Sequence, residues 1–231
     1  MSEPTRLVIL ASGRGSNFLA IHNAIERQRL PAMISALICD RADADALSLA
    51  AEHGIDTACI EPRHFADRAG YEQALKITID GFDPRWILLA GFMRVLGADF
   101  VHHYDGRMVN IHPSLLPRHR GLHTHRRVLE AGETEHGASV HFVTPALDAG
   151  PAICQVRMPV ASDDTADTLA ERLLPLEHRL YPATLALLLH HRVELRNEEI
   201  YIDDQTIDVP LELGRNLGDD GQLADRRGGN S

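Results

Sequence analysis

The segment Asn110-Ile111-His112-Pro113-Ser114-Leu115-Leu116-Pro117 brings together residue types that suit acyl transfer. Side chains alternate along a strand, so Asn110 and His112 project to one face, and Pro113 ends the strand just beyond them. Open α/β sheets bind their ligands at that carboxyl end. A carboxamide placed there can donate to a developing oxyanion, and an imidazole can donate or shuttle a proton. One histidine among 14 is more often a half-buried, satisfied residue, so the pair gains its weight from its surroundings. A second candidate is Gly13-Arg14-Gly15-Ser16-Asn17, which follows the apolar run Arg6–Ala11. Small residues at a strand-to-helix turn let backbone N–H groups approach an anion, which the helix N-terminus also favours. Ser16 or Asn17 suits an N-cap, although two glycines equally suit a plain turn. Phe18 occupies the third glycine position of a dinucleotide fingerprint and no Gly-Lys-Ser/Thr follows, so neither that motif nor a P-loop is present.

His123 and His125, with His112 and His119 nearby, raise the question of zinc. No cysteine or acidic ligand sits at a supporting spacing, so no metal is expected. The pairs His102-His103 and His190-His191 suit a surface better than a site.

These residues need a scaffold, and the first two thirds of the chain supply one by alternating strand-like and helix-like segments. Arg6–Ala11, Ala32–Cys39, Asp56–Ile60, Trp86–Ala90 and Met108–His112 read as strands; Asn17–Arg29, Ala44–His53 and Asp67–Gly81 read as helices. Trp86–Ala90 is apolar throughout, as befits a parallel strand buried on both faces. The pattern predicts a doubly wound α/β fold with a mostly parallel central sheet, Rossmann-type in its N-terminal half. A mixed C-terminal part follows. Ala138–Val143 and Ala152–Val160 read as strands joined by a tight connection, and Thr165–His191 as a long helix that Pro175 and Pro182 should bend or interrupt. Short strands fit Val193–Arg196 and Glu199–Ile202. Beyond Pro210 the composition is that of a disordered tail.

Composition narrows the function classes. The 231 residues are 44% hydrophobic and 24% charged, enough for a substantial core, and no apolar run of membrane-spanning length occurs. The start, MSEPTRLVIL, lacks the features of a signal peptide. The three cysteines, Cys39, Cys59 and Cys154, are scattered and odd in number, which suits reduced thiols in a cytoplasmic protein. A net charge of −10 argues against a general nucleic-acid surface. Residues 194–231 hold ten acids against four arginines and so carry six of those ten charges.

The stretches SLLPRHRGLHTHRRVLEAG and HGASVHFVTPALDAGP resemble the folate-dependent formyltransferase family. GRGSN, LLAGFMRVL, VNIHPSLLP, GLHTHR and EHRLYP follow family order and spacing from residue 6 to about 202. The resemblance implies transfer of the formyl group of 10-formyltetrahydrofolate to the amine of a small phosphorylated acceptor, glycinamide ribonucleotide. It implies Asn110, His112 and Asp148 as the catalytic trio, and Gly15, Ser16, Asn17 and Glu177 as acceptor-binding residues. On the folate side it implies Arg68, Met93, Arg94, Val95 and Leu96, with Asn110, Val143, Thr144 and Asp148. No metal is implied. Arg14 stands where the family's loop often carries a smaller polar residue, and Pro175 lies two residues before Glu177.

The expected organisation is one formyltransferase domain over residues 1–203, with a phosphate- and acceptor-binding half (1–105) and a catalytic, folate-binding half (106–203). Residues 204–231 are expected to form a polar tail, disordered at its end. The expected partners are small molecules, with neither nucleic acid nor membrane, and the chain is expected to be a monomer or homodimer. Three alternatives use the same residues differently. A formyltetrahydrofolate hydrolase is expected to carry an N-terminal regulatory domain, for which the first strand at Arg6 leaves no room. A methionyl-tRNA formyltransferase needs a further RNA-binding domain, where this chain has a short acidic segment. A non-catalytic folate-binding relative has no need of an intact trio.

Overall fold

Five strands, four of them largely apolar, run parallel in the first of two compact units, Met1–Ile111 with Phe142–Leu147. The computed structural model describes residues 3–224. Strand β1 (Thr5–Ala11) is buried over its last five residues, as expected of a strand covered on both faces. It pairs in parallel with β2 (Ala32–Cys39) and β4 (Trp86–Leu89), placing Leu7 beside Trp86 and Leu10 beside Leu89. Strand β3 (Asp56–Cys59) extends the sheet beyond β2, and β5 (Met108–His112) extends it beyond β4 with Asn110 beside Leu89. The order is therefore β3-β2-β1-β4-β5.

Helices α1 (Ser16–Gln28), α2 (Asp45–Glu52), α3 (Arg68–Gly81) and α4 (Ala98–His103) connect these strands. Helix α3 shows why its sequence is helical. Tyr71, Leu75 and Ile79 recur every four residues and are buried, and Asp67 caps the start by accepting from the Gly70 N–H at 2.8 Å. They pack with Val8, Leu10, Ile38, Ile87, Leu89, Phe100 and Tyr104 in one core. The Tyr104 hydroxyl, buried within it, donates to Asp80 at 2.8 Å.

The second unit comprises His112–His141 and Asp148–Ser231. Strand β6 (Glu135–Phe142) pairs antiparallel with β7 (Ala152–Pro159), joined by the tight connection expected from the sequence. A short helix, α5 (Thr124–Glu130), precedes β6. Helix α6 (Ala166–His190) runs 25 residues without a break, despite Pro175 and Pro182. The interruption expected at those prolines does not occur. A capping box between Thr165 and Thr168 secures its start, and Leu180–Leu187 is buried without exception, so packing outweighs the two missing N–H donors. Strands β8 (Val193–Arg196), β9 (Glu199–Ile202) and β10 (Gln205–Ile207) form a small antiparallel sheet.

The chain beyond Pro210 differs from its reading as a disordered tail. Strand β11 (Leu211–Glu212) pairs in parallel with β7, and the Leu213 N–H donates to the Gln155 carbonyl at 2.9 Å. Leu217 is buried, Asp219 pairs with Arg179 of α6 at 2.9 Å, and Gly221, at φ +77°, lies too close to the backbone of Leu187 to admit a side chain. Single leucines supply this anchoring, and composition averages them away. Residues 225–231, where the end of the tail was expected to be disordered, lie outside the described residues. The units also part the chain differently from the expected halves: residues 106–111 belong with the first unit, and 142–147 return to it. No described helix is long and apolar enough to cross a membrane.

Candidate active site

His112 ends β5 and is 6% exposed, so its neighbours rather than water decide its hydrogen bonding. Nε2 lies 3.0 Å from the His119 carbonyl and Nδ1 lies 3.4 Å from Asp148 Oδ2. Both ring nitrogens thus face oxygen acceptors, and a ring that takes up a proton can donate to both. The Asp148 carboxylate also accepts from the Gly121 N–H at 2.9 Å and lies 3.7 Å from His141 Nε2. Asp148 itself sits at φ +46°, a left-handed conformation that Asp adopts more readily than most residues. One hydrogen bond and two longer approaches from imidazole rings therefore surround the carboxylate.

The turn after His112 is fixed by a buried polar network. Ser139 on β6 donates to the Ser114 carbonyl at 2.7 Å and accepts from the Leu116 N–H at 3.0 Å. Gln155 on β7 donates to the Leu116 carbonyl and to Ser139, both at 2.9 Å. Further along, Glu133 anchors the loop that carries the His119 carbonyl, bonding the His119 ring at 2.7 Å and Arg118 at 2.9 Å. His125 turns toward His136 on β6, with ring nitrogens 2.9 Å apart. Burial, reinforced by the neighbouring His125, pushes the His136 pKa down to about 4. Among the described residues no three His, Cys, Asp or Glu side chains gather as metal ligands.

In the first unit Gly15 adopts φ +78° at the start of α1, and a Cβ there would come within 2.9 Å of the Ala46 Cβ. Glycine is thus needed for both conformation and space. Gly15 itself is the cap residue, and no side chain caps the helix; the cap expected from Ser16 or Asn17 is not formed. The first turn of α1, with Ser16 and Asn17, holds no acid, which leaves the positive end of the helix dipole uncompensated. Asn110 is half-buried on β5, two residues before His112.

The segment Gly91–Gly97, which holds Met93, Arg94, Val95 and Leu96, is pinned along its length. The Met93 N–H donates to Ser12 Oγ at 2.9 Å, Arg94 Nε donates to Asp40 at 2.6 Å, and the Gly97 N–H donates to Glu72 at 2.7 Å. Arg68 donates to the same Glu72 oxygen at 2.7 Å. Met93 and Val95 are 66% and 57% exposed, whereas Leu96 is buried. Val143 bonds the Met108 carbonyl through its N–H at 3.0 Å, and the Thr144 hydroxyl faces the Ala146 carbonyl at 3.4 Å. Glu177 is half-buried on α6 of the second unit. Within the units, then, the predicted residues gather as Met93–Leu96 beside the glycine turn through Ser12, and as His112 with Asp148.

Reasoning from the sequence missed Ser12, Asp40, Glu72, the Gly121 amide and His141. His141 lies within the run ASVHFV, where a strand explains it fully. For Asp40 a signal existed: an acid directly after an apolar strand, at the end where such sheets bind ligands.

This architecture agrees with comparison to known proteins. The formyl transferase family model matches residues 5–185, and the chain belongs to that family. It is 41% identical over 201 residues to phosphoribosylglycinamide formyltransferase of Escherichia coli strain K12, covering 87% of this chain and 95% of that one. It is 38% identical to the human trifunctional purine biosynthetic protein adenosine-3 over 84% of this chain, a match spanning 19% of that longer protein. The solved phosphoribosylglycinamide formyltransferase of Coxiella burnetii superimposes with a TM-score of 0.87 at 47% identity, covering 91% of this chain and 99% of the other.

Proposed function

We propose that the protein transfers the formyl group of 10-formyltetrahydrofolate to the amine of glycinamide ribonucleotide, giving formylglycinamide ribonucleotide and tetrahydrofolate in purine biosynthesis. The neutral amine attacks the formyl carbon, and the carbonyl oxygen becomes an oxyanion of a tetrahedral intermediate. Asn110 donates a hydrogen bond to that oxygen, and His112 donates a second through Nδ1, exchanging its long 3.4 Å contact with Asp148 for the oxyanion. The bond from carbon to the folate N10 then breaks, and the proton lost by the amine passes to N10 with the help of His112. Asp148 supports the positive charge that His112 carries in passing. Gly15, Ser16 and Asn17 hold the acceptor's phosphate, with Glu177 on the acceptor, and this orientation supplies part of the rate. Arg68, Met93–Leu96, Val143 and Thr144 hold the folate. The substrates are small molecules of the cytoplasm, and no metal takes part.

The observation that carries this reading is the 3.4 Å approach of Asp148 to His112 at the end of the strand that carries Asn110. Incubation with 10-formyltetrahydrofolate, with and without glycinamide ribonucleotide, tests it. Deformylated folate is expected to accumulate only when the acceptor is present. Equal accumulation without acceptor would assign a hydrolase instead.

A further inference from the structure

Two arginines of the proposed donor site rest on acids of the first unit to which no role has been given. Arg94 bonds Asp40 at 2.6 Å and Arg68 bonds Glu72 at 2.7 Å, in both cases through Nε. The acids are the enclosed partners: their side chains are 1% and 14% exposed, against 47% for Arg94 and 55% for Arg68. Asp40 Oδ1 accepts no hydrogen bond from the described residues, so Arg94 is the one hydrogen-bonded partner of that carboxylate. A buried carboxylate is costly to leave unpaired, so each acid grips its arginine firmly. A guanidinium gripped at Nε keeps its terminal nitrogens as donors.

Glu72 does more, because the same oxygen takes the Gly97 N–H and so ends the Gly91–Gly97 segment. A Cβ at Gly97 would come within 2.7 Å of Glu72 Oε2 and 3.0 Å of Arg68 Nη2, so glycine is what allows this approach. With Ser12 toward its other end, the segment is held at three points, by Ser12 just after β1, Asp40 just after β2 and Glu72 of α3.

We propose that Asp40 and Glu72 are positioning residues for the one-carbon donor, acting through Arg94, Arg68 and the backbone between Met93 and Gly97. The inference rests on the folate reading given above. Two effects of removing an acid oppose each other. Loss of negative charge raises the local positive potential and favours an anionic donor. Loss of the anchor releases a rotamer-rich side chain that binding must order again. Both arginines are about half exposed and their charges are screened by water and salt, so the ordering effect prevails.

Asp40→Asn is expected to raise the KM for 10-formyltetrahydrofolate about three- to tenfold at about 0.15 M salt. The change in kcat should be smaller, and the acceptor KM should stay within twofold. In an Arg94→Ala background the same substitution should add little, because its effect runs through the arginine. Glu72→Gln, on a more exposed acid, should act in the same direction and keeps the test open if Asp40→Asn does not fold. Direct binding of 10-formyltetrahydrofolate to the wild type separates the possible failures. Wild type that binds no donor overturns both the folate reading and this inference. Donor binding that is unchanged or tighter in both variants overturns this inference alone, as does an equal rise in both KM values.

Discussion

In the proposed reaction Asn110 and Asp148 act by different means, so their removal should leave different signatures. Asn110→Ala deletes one donor to the oxyanion, an interaction typically worth about 10²–10³ in kcat. The residue is only half-buried, two positions before the end of β5, so the melting temperature should change little. Steady-state kinetics with a thermal melt checks both, and a variant with most of its turnover intact removes Asn110 from the chemistry. Asp148→Asn keeps the size and one acceptor oxygen while removing the charge beside His112. A large loss of kcat with a smaller change in acceptor KM is expected. Near-normal kcat would leave Asp148 as a former of its turn, a role that Asn fills equally well.

His136 makes a prediction about pH at the same scale. Its folded pKa of about 4 lies below the ordinary value of 6.5, because burial disfavours the charged ring. The unfolded chain therefore takes up this proton first as pH falls. The histidine's full stability is present above pH 6.5 and is lost progressively down to about pH 4. The loss amounts to something on the order of 3 kcal/mol. Chemical denaturation at pH 7 and pH 5.5 should show the start of this loss, and His136→Gln should flatten it. Equal pH slopes in the two proteins would contradict the assignment.

Elements were legible from the sequence where one apolar pattern ran long enough to be read. Strand β4 is a continuous apolar run, β1, β2 and β5 are largely apolar, and α3 repeats its buried residues every four positions. Helices α4 and α5 were missed because six or seven residues hold fewer than two turns of pattern. The prolines predicted a bend or an interruption of α6, and no interruption occurs, because local backbone preference says nothing of the leucines that packing buries around them. Asn110 and His112 could be read as a candidate pair because both lie in one short motif. The supports could not, since Ser12, Asp40 and Glu72 lie on or just after three elements that only the fold draws to one segment. The turn before α1 gives a test at this scale. Gly15→Ala places a side chain at φ +78° against Ala46, which costs about 1–3 kcal/mol in conformation alone. Displacing that turn should raise the acceptor KM strongly and leave donor affinity nearly unchanged. Equal weakening of both ligands would show that this turn does not hold the acceptor.

On the scale of the whole chain, residues 211–224 take part in the folded second unit. Asp148 lines a cavity of about 430 Å³ together with Arg120, Thr206, Asp208 and Pro210, so the segment after β9 forms part of the surroundings of the candidate site. Truncation after Leu213 removes Leu217, which is 2% exposed, the Arg179–Asp219 pair and the close contact of Gly221 with α6. Burying one leucine contributes about 1.5–3 kcal/mol, so the melting temperature should fall by roughly 3–12 °C. Composition alone predicted a dispensable tail, and an unchanged melting temperature would restore that view.

The central claim is that the formyl carbon passes to an amine and that Asn110 stabilises the oxyanion formed on the way. Carbon-13 NMR of 10-formyltetrahydrofolate labelled at the formyl group, mixed with the protein and glycinamide ribonucleotide, follows that carbon directly. The label is expected to appear as the formamide of the acceptor, with no formate above the acceptor-free background, and Asn110→Ala is expected to slow its appearance about 10²–10³-fold. Label released as formate at the same rate with or without acceptor would contradict the central claim.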